Sequence, residues 1–394
     1  MKKWLILALT AFTSMLVYAM PLLSLPVLFT EISADLNLSI LQIGVVWGAA
    51  SFAGFLSSIP MGILGDRFGP RLTIGVACLL VGILGALRAF SFDYISFMAT
   101  VLLHGLITPA IPPNVHKAAG VWFADQRGLA TGMVSAGFAI GLTLGSSLSA
   151  SVLSPLLGGW EAVLLLYGAI AVVFSVVWLV FYPSAEKATS QKQKPAYIDS
   201  LRHVIQSRPL WLIGLGTGCF WACYRGFSGY LPLYLKEIGW NAVVADQTLA
   251  TFYLVSLLGV MPLSLLSDRL RARRIFIMIS TAVMGIGVLT LSFVSGVLIW
   301  LSLIMARFCF DAYMSIHQAA VQEVDGISYA YVGTALGFVA TLRELGGFIS
   351  PPLGNALAEY GLNAPFIFWG MMGLIGAVIL WQLPVQQTTL RKRA

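Results

Sequence analysis

The chain has 394 residues, 58% of them apolar and only 10% charged, with a formal net charge of +7. A soluble domain is about 25% charged, so this chain has too few ionisable groups to cover a water-facing surface, and the implied class is an integral membrane protein. No G-x-x-x-x-G-K-[ST] loop occurs, which argues against ATP-driven work by this chain alone.

Continuous apolar runs of about 20 residues predict helices 1 to 6 near 4–30, 39–64, 72–91, 94–116, 128–154 and 160–182. Helices 7 to 12 follow near 209–235, 246–267, 275–294, 298–321, 333–356 and 366–384. The runs are continuous rather than alternating, which excludes a β-barrel, and Gly and Pro recur inside them, as is common in membrane helices. Lys2-Lys3, an apolar stretch and Val17-Tyr18-Ala19 have the outline of a cleavable signal peptide. The same segment has a counterpart in the second half of the chain, which favours a retained helix. Segment 183–208 is the longest polar stretch and reads as a linker between an N-terminal bundle, 1–182, and a C-terminal bundle, 209–394. The cysteines, Cys78, Cys219, Cys223 and Cys309, all fall within apolar runs and read as core residues, so neither a metal nor a cofactor is expected.

Charge sets the orientation. With the N-terminus inside, the cytoplasmic segments collect 18 of the 23 basic residues, from Lys2, Lys3, Arg67 and Arg71 through the linker to Arg391, Lys392 and Arg393. The outside loops hold Lys236 alone, and four arginines lie within helices. The positive-inside rule therefore puts both termini in the cytoplasm of a multi-pass protein of the cell (inner) membrane. The positive charge reflects topology, and no nucleic-acid partner is indicated.

The chain contains itself twice. Tyr18, Leu25, Pro26, Glu31 and Ile32 match Tyr224, Leu231, Pro232, Glu237 and Ile238 at an offset of 206. Pro60, Leu64, Asp66, Arg67 and Arg71 match Pro262, Leu266, Asp268, Arg269 and Arg273 at 202, and Gly128, Ala130, Gly132 and Gly141 match Gly333, Ala335, Gly337 and Gly346 at 205. Parallel six-helix repeats hold substrate near the midplane between the halves in many secondary transporters. The stretch Gly62-Ile63-Leu64-Gly65-Asp66-Arg67-Phe68-Gly69-Pro70-Arg71 resembles the signature loop of the major facilitator superfamily and lies between helices 2 and 3, where that family has it. Ser267-Asp268-Arg269 begins a degenerate second copy, and Arg127-Gly128-Leu129-Ala130-Thr131-Gly132 is similar to a common family element. The resemblance covers essentially the whole chain. It implies an all-α membrane fold of twelve transmembrane helices in two six-helix pseudo-symmetric bundles.

Small residues let membrane helices approach closely, so Gly62 and Gly65 are expected to bring helices 2 and 11 together. Asp66 can cap a helix N-terminus and attract Arg127 or Arg71. With Arg67 and the repeated Asp268, it reads as a polar latch that opens and closes the cytoplasmic side; a charged turn that only fixes topology is the plainer reading.

An arginine at the bilayer centre costs about 2.5–3.5 kcal/mol on insertion scales and normally faces a wet cavity or a partner. Arg88, Arg225, Arg307 and Arg343 face Asp311 and Glu344 alone at comparable depth, and this excess favours an anionic substrate. Arg88 is peripheral in the fold that the resemblance implies, and snorkelling to the headgroups accounts for it. Arg307 and Asp311 are four apart and can pair along one face, either as a structural pair or in gating or proton coupling. Arg343 and Glu344 are about 100° apart around the helix and are expected to look in different directions, one into the cavity and the other to a neighbouring helix. Arg225 lies on helix 7, which lines the cavity in this family, in the stripe Gly214, Gly218, Trp221, Arg225, Gly229, and its counterpart in helix 1 is Ala19. Its planar fork suits a carboxylate or similar oxyanion. Tyr18, Tyr224, Tyr230 and Tyr313 are candidate donors or packing anchors, and His104 is a candidate titrating group or a buried structural histidine.

The expected function is secondary active transport of a small anion, a monocarboxylate or an oxyanion, by alternating access. The partners are that solute, the lipid bilayer and protons as a candidate co-substrate, and the chain is expected to work as a monomer. Helices 4 and 5 resemble the branch that includes nitrate and cyanate carriers, although the glycine-rich nitrate signature is absent. The alternative is proton-coupled export of cationic drugs, which would want a carboxylate in helix 1 or helix 4 of the cavity; neither helix offers one away from its end. No metal spacing or nucleophile–base pair suggests an enzyme.

Overall fold

The structure, a computed structural model, describes residues 2–123, 127–183, 197–270, 272–325, 327 and 332–384. Among these the regular structure is helical throughout. Helix 1 is Lys3–Asp35. Helices 2 and 3 together span Ile40–Leu87, helix 4 is Tyr94–Trp122, helix 5 begins with Arg127–Leu148 and runs on to Leu157, and helix 6 is Trp160–Phe181. Helix 7 is Arg208–Glu237, helix 8 Ala242–Leu270, helix 9 Arg273–Thr290, helix 10 Leu298–Gln322, helix 11 Val332–Ala356 and helix 12 Ala364–Trp381. The segment joining helices 6 and 7 contains a short helix, Tyr197–Ile205.

Local chemistry explains the departures from straight helices. Thr13–Ala19 and Ser149–Leu153 are π-helical, and each stretch ends two residues before a proline, Pro21 or Pro155. A proline has no N–H to give the carbonyl four residues back, and the ladder widens there. Thr13 adds to the distortion: its hydroxyl donates to Leu9 O at 2.7 Å and accepts from Trp178 Nε1 at 2.8 Å. Between helices 2 and 3, Gly69 adopts φ 74°, ψ 169°, a region open to glycine alone, and Pro70 then starts helix 3 where a missing N–H costs nothing.

The duplication is visible in bonds. Arg71, at the start of helix 3, donates from Nε (3.0 Å) and Nη2 to the Leu179 carbonyl at the end of helix 6. Arg274, at the start of helix 9, donates to the Trp381 carbonyl at the end of helix 12. A guanidinium thus caps a helix C-terminus in each half, where the helix dipole is negative. The alignment pairs Arg71 with Arg273, but in space the equivalent is Arg274, while Arg273 bonds Glu323 at 2.7 Å.

At the face opposite the termini the halves are closed together. Had Gly44 and Gly48 of helix 2 carried a Cβ, it would stand 2.8 Å from Pro351 O and 2.5 Å from Phe348 O of helix 11. Asn355 Nδ2 donates to Ile40 O at 2.9 Å, and Lys236 Nζ, paired with Asp246 at 2.9 Å, donates to Val27 O at 3.2 Å. The approach of helices 2 and 11 expected at Gly62 and Gly65 therefore occurs further along, at Gly44 and Gly48. Gly65 packs on Asn114 of helix 4, and no described atom lies within 4 Å of a Cβ on Gly62, Gly120, Gly132 or Gly337. Toward the termini, among the described residues, the first half keeps an apolar core of its own around Ile74, Val115 and Trp178, while one continuous core joins both halves at the closed face.

Because ψ at Gly69 is extended and φ positive, Gly69→Ala should cost about 1–3 kcal/mol. A fall in the thermal midpoint of the purified protein is expected, and an unchanged midpoint would show that the turn accepts an L-residue.

Candidate functional site

The π segment of helix 1 carries Tyr18, whose ring stacks on Phe138 of helix 5 at 5.5 Å between centroids and is half-buried. Opposite it stand helices 7 and 11. Gly218 and Gly346 let their backbones touch, so that Trp221, Arg343 and Glu344 come together where the halves face each other. Gly54 of helix 2 completes this wall: a Cβ there would be 4.0 Å from Glu344 Oε2 and 3.8 Å from Pro109 of helix 4.

Arg343 and Glu344 do not diverge as expected. Arg343 donates from Nε at 3.0 Å and from Nη2 at 2.5 Å to Glu344 Oε1. Helical geometry separates the two Cβ atoms, but both side chains are long enough to fold back and meet, and in a low-dielectric wall an unpaired charge costs more than the bent rotamers. The pair is 28% and 14% exposed, and the Arg343 guanidinium lies 5.0 Å from the Trp221 ring centre.

Arg225 is 5% exposed and engages the other half of the protein. Its guanidinium lies 3.6 Å over the Trp47 ring of helix 2 and donates from Nη2 to Trp47 O at 3.1 Å, while Trp47 Nε1 donates to Arg225 O at 2.7 Å. Gly229, one turn on, makes room for the indole. The glycine stripe of helix 7 therefore serves close packing: Gly214 and Gly218 face Leu342 of helix 11, and Gly229 faces Trp47.

Arg307 is 1% exposed and enclosed by rings, with its guanidinium carbon 3.6 Å from the centre of Phe310, 4.4 Å from Tyr253, 4.9 Å from Phe252 and 5.4 Å from Tyr224. Its Nη2 is 3.7 Å from Asp311 Oδ1, on a side chain that is 30% exposed. Tyr224 and Tyr253 share a hydrogen bond of 2.7 Å between their hydroxyls.

The remaining candidates lie elsewhere. Tyr230 donates to Leu362 O at 3.2 Å and packs on Trp369, anchoring helix 7 to helix 12. Tyr313 donates to Thr217 at 2.9 Å within the second half. His104 faces helix 3, beside Gly85 and Arg88, with Nδ1 3.3 Å from Thr108 Oγ1. Arg88 is buried and donates to Gly85 O at 3.2 Å, so it folds onto its own helix instead of reaching headgroups. Arg67 is exposed and lies 5.4 Å from the Phe68 ring centre. The side chains of Asp66, Arg127 and Asp268 fall outside the described residues, and with them the latch reading. Among the described residues no group of three or more His, Cys, Asp or Glu side chains is placed to hold a metal.

Two groups of helices joined at one face, with basic side chains at their junction, form a carrier's architecture, and the sequence comparison decides the family. The family model of the Major Facilitator Superfamily matches residues 7–330 and 245–393. The chain belongs to that superfamily. It is a multi-pass membrane transporter and not an enzyme. Among its curated relatives is a probable nitrate/nitrite antiporter of Thermus thermophilus, 27% identical over 391 residues, which cover 90% of this chain and 85% of the relative. A probable L-galactonate transporter of Escherichia coli is 25% identical over 228 residues, 54% of this chain and half (50%) of that protein. Among solved structures, a bacterial homolog of the human lysosomal transporter Spinster, in an inward-facing and occupied conformation, superposes with a TM-score of 0.80 over 96% of both chains at 14% identity. That likeness establishes the fold: twelve helices in two bundles.

Within this superfamily member, Trp47 is the residue that the sequence concealed. A cation–π contact is worth about 2 kcal/mol or more when desolvated, and the two reciprocal bonds add to it. Trp47→Ala should loosen the closed face, whereas Trp47→Phe, which keeps the stack, should do so less. A cysteine placed at half-buried Ala50 should react faster with a membrane-impermeant thiol reagent applied from that face in Trp47→Ala; equal rates in all three proteins would show that the seal does not depend on this contact.

Proposed function

We propose that this superfamily member is a secondary active transporter of a small anion, a monocarboxylate or an inorganic oxyanion, working by alternating access in the cell (inner) membrane. The observation that carries this reading is the gathering of Arg225, Arg307 and Arg343 on helices 7, 10 and 11, against Glu344 and the 3.7 Å neighbour Asp311. An excess of guanidinium at the closed end of a cavity attracts anions and repels cations. The names of the relatives, a nitrate/nitrite antiporter and an L-galactonate transporter, support the same class. The drug-export alternative needs a carboxylate free to meet a cation; Glu344 is held by Arg343.

The basic asymmetry makes the termini face cytoplasmic and the closed face external. Cysteine labelling tests that assignment: Ser190→Cys and Ala242→Cys should react from opposite sides of the membrane, and same-side reaction would overturn it.

The Arg343–Glu344 pair also gives the reading a route to proton coupling. An anion that takes Arg343 competes with Glu344 for the guanidinium, so anion entry and release of that carboxylate are linked. If a proton travels with each anion, uptake should rise as the external pH falls. In proteoliposomes, Arg343→Gln should cut anion uptake by about tenfold or more, the value of one charge-assisted bond. Glu344→Gln, neutral in every state, should keep exchange of anion for anion while losing the response to a pH gradient. Accumulation in wild type that ignores the gradient would rule out proton coupling, and uptake of cationic dyes with no anion uptake would overturn the anionic reading.

A further inference from the structure

Among the described residues, seven buried side-chain nitrogen or oxygen atoms make no hydrogen bond, and four of these are donors in one neighbourhood: Trp221 Nε1, Arg225 Nε, Arg307 Nε and Arg307 Nη1. The neighbourhood of Trp221 and Arg307 is defined by ring contacts, and Arg225 adjoins it, next to Tyr224 on helix 7 and close enough for its charge to act on Tyr224 and Tyr253. Tyr224 and Phe310 lie 4.5 Å apart, Trp221 lies 5.0 Å from Tyr224 and 6.1 Å from Phe310, and Arg307 sits over Phe310 at 3.6 Å. Buried polar atoms in native proteins are nearly always paired, so four orphans in one cluster is not what a purely structural core would show. Aromatic stacking does not account for them. A ring at 3.6 Å covers the face of a guanidinium, while the N–H bonds point outward from its edges. Asp311 does not satisfy them either, since it lies nearest to Nη2, at 3.7 Å.

All four atoms are donors, and two belong to cationic groups. The partner that fits is therefore an anion with several acceptor positions. A carboxylate offers about four lone-pair sites on two oxygens, and a planar inorganic oxyanion offers more. The aromatic walls suit a flat, delocalised group. Trp221 is half-buried and touches both this cluster and cavity-facing Arg343, which places it between the open cavity and the enclosed arginines.

We propose that Trp221, Arg225 and Arg307, around the Tyr224–Phe310 ring pair, form the anion site of this carrier, and that it takes a flat group presenting at least two acceptor oxygens. This rests on the anion-transport reading above and adds the place and the chemistry. Trp221 becomes a donor to substrate, and Arg307, enclosed in this structure, becomes a ligand for it. Arg225 has a double duty, because its Nη2 holds the far seal through Trp47 while its Nε is free to meet the anion. Substrate and seal thus bear on one guanidinium.

The test is binding calorimetry on purified full-length protein with sodium nitrate, sodium acetate and sodium galactonate, and with sodium chloride as the acceptor without oxygen. At least one oxyanion should bind, with chloride about tenfold weaker or more. Trp221→Phe, which keeps the ring and removes only the N–H, and Arg307→Gln should each weaken that oxyanion by about tenfold or more, while Tyr230→Phe, altered at a packing contact on the same helix, should bind as wild type does. If Arg307→Gln fails to fold, Trp221→Phe decides by the same ratio. Wild-type affinity in Trp221→Phe and Arg307→Gln would overturn this site and leave anion transport standing. Chloride bound as tightly as the oxyanions would overturn the oxygen-bearing class. If no oxyanion binds wild type, the site falls together with the anionic reading.

Discussion

A guanidinium carried into hydrocarbon must find partners on every side, and the packing of helices 7, 10 and 11 follows from that requirement. Insertion costs about 2.5–3.5 kcal/mol for each arginine at the centre of a lone helix. Three arginines near the junction of the halves meet the cost in different ways. Arg343 takes the carboxylate next to it in sequence. Arg225 takes a tryptophan face and a carbonyl from the opposite half. Arg307 takes four aromatic rings. Each solution has a structural consequence: a charged pair on the cavity wall, a tie between halves, and an aromatic core that the second half alone must build.

The tie lies at the closed face. Among the described residues, helices 2 and 11, and helices 7 and 11, come to backbone contact where glycine removes the Cβ, at Gly44, Gly48 and Gly218, and Gly229 of helix 7 makes room for the Trp47 indole. In membranes such close packing supplies much of the association energy, because lipid is as apolar as the side chains it replaces. The glycines nearer the termini, Gly62, Gly132 and Gly337, have no described neighbour at their Cβ positions. Arg225, whose partners are one backbone carbonyl and one ring, holds a contact that can be made and broken without leaving a buried ion pair unmatched.

The number of helices, their approximate spans and their division into related halves were legible because hydrophobic length and internal repetition are local properties of the chain. The intramembrane arginines were legible for the same reason, since a charge inside an apolar run stands out whatever it touches. Their partners were not. Trp47 and Arg225 are 178 residues apart, and nothing in an apolar helix marks one tryptophan as the acceptor of a distant cation. Tyr253, hidden in helix 8, became visible only when its hydroxyl met Tyr224. Asp246, at the predicted start of helix 8, gave no sign in the sequence of its pairing with Lys236. The misreading of Arg343 against Glu344 came from reasoning about Cβ directions where side-chain length decides. His104 and Arg88, both notable as polar residues in apolar runs, turned out to face each other between helices 3 and 4, away from the junction.

The asymmetry of the duplication is the last consequence. Helices 1 and 7 descend from one repeat, yet Ala19 stands where Arg225 does, and the first half lines the junction with Tyr18, Phe138, Gly54 and Pro109, none of them charged. A symmetric charge would have to be desolvated twice in every cycle, once in each half. With the arginines on one half only, an uncharged wall faces a charged one, and Arg307 and Arg343 have their ring and carboxylate partners within their own half. Of the three arginines only Arg225 takes its partner from the opposite half, and its contact with Trp47 stands beside the Asn355–Ile40 and Lys236–Val27 bonds and the packing of Gly44 and Gly48 on helix 11, which also cross the closed face.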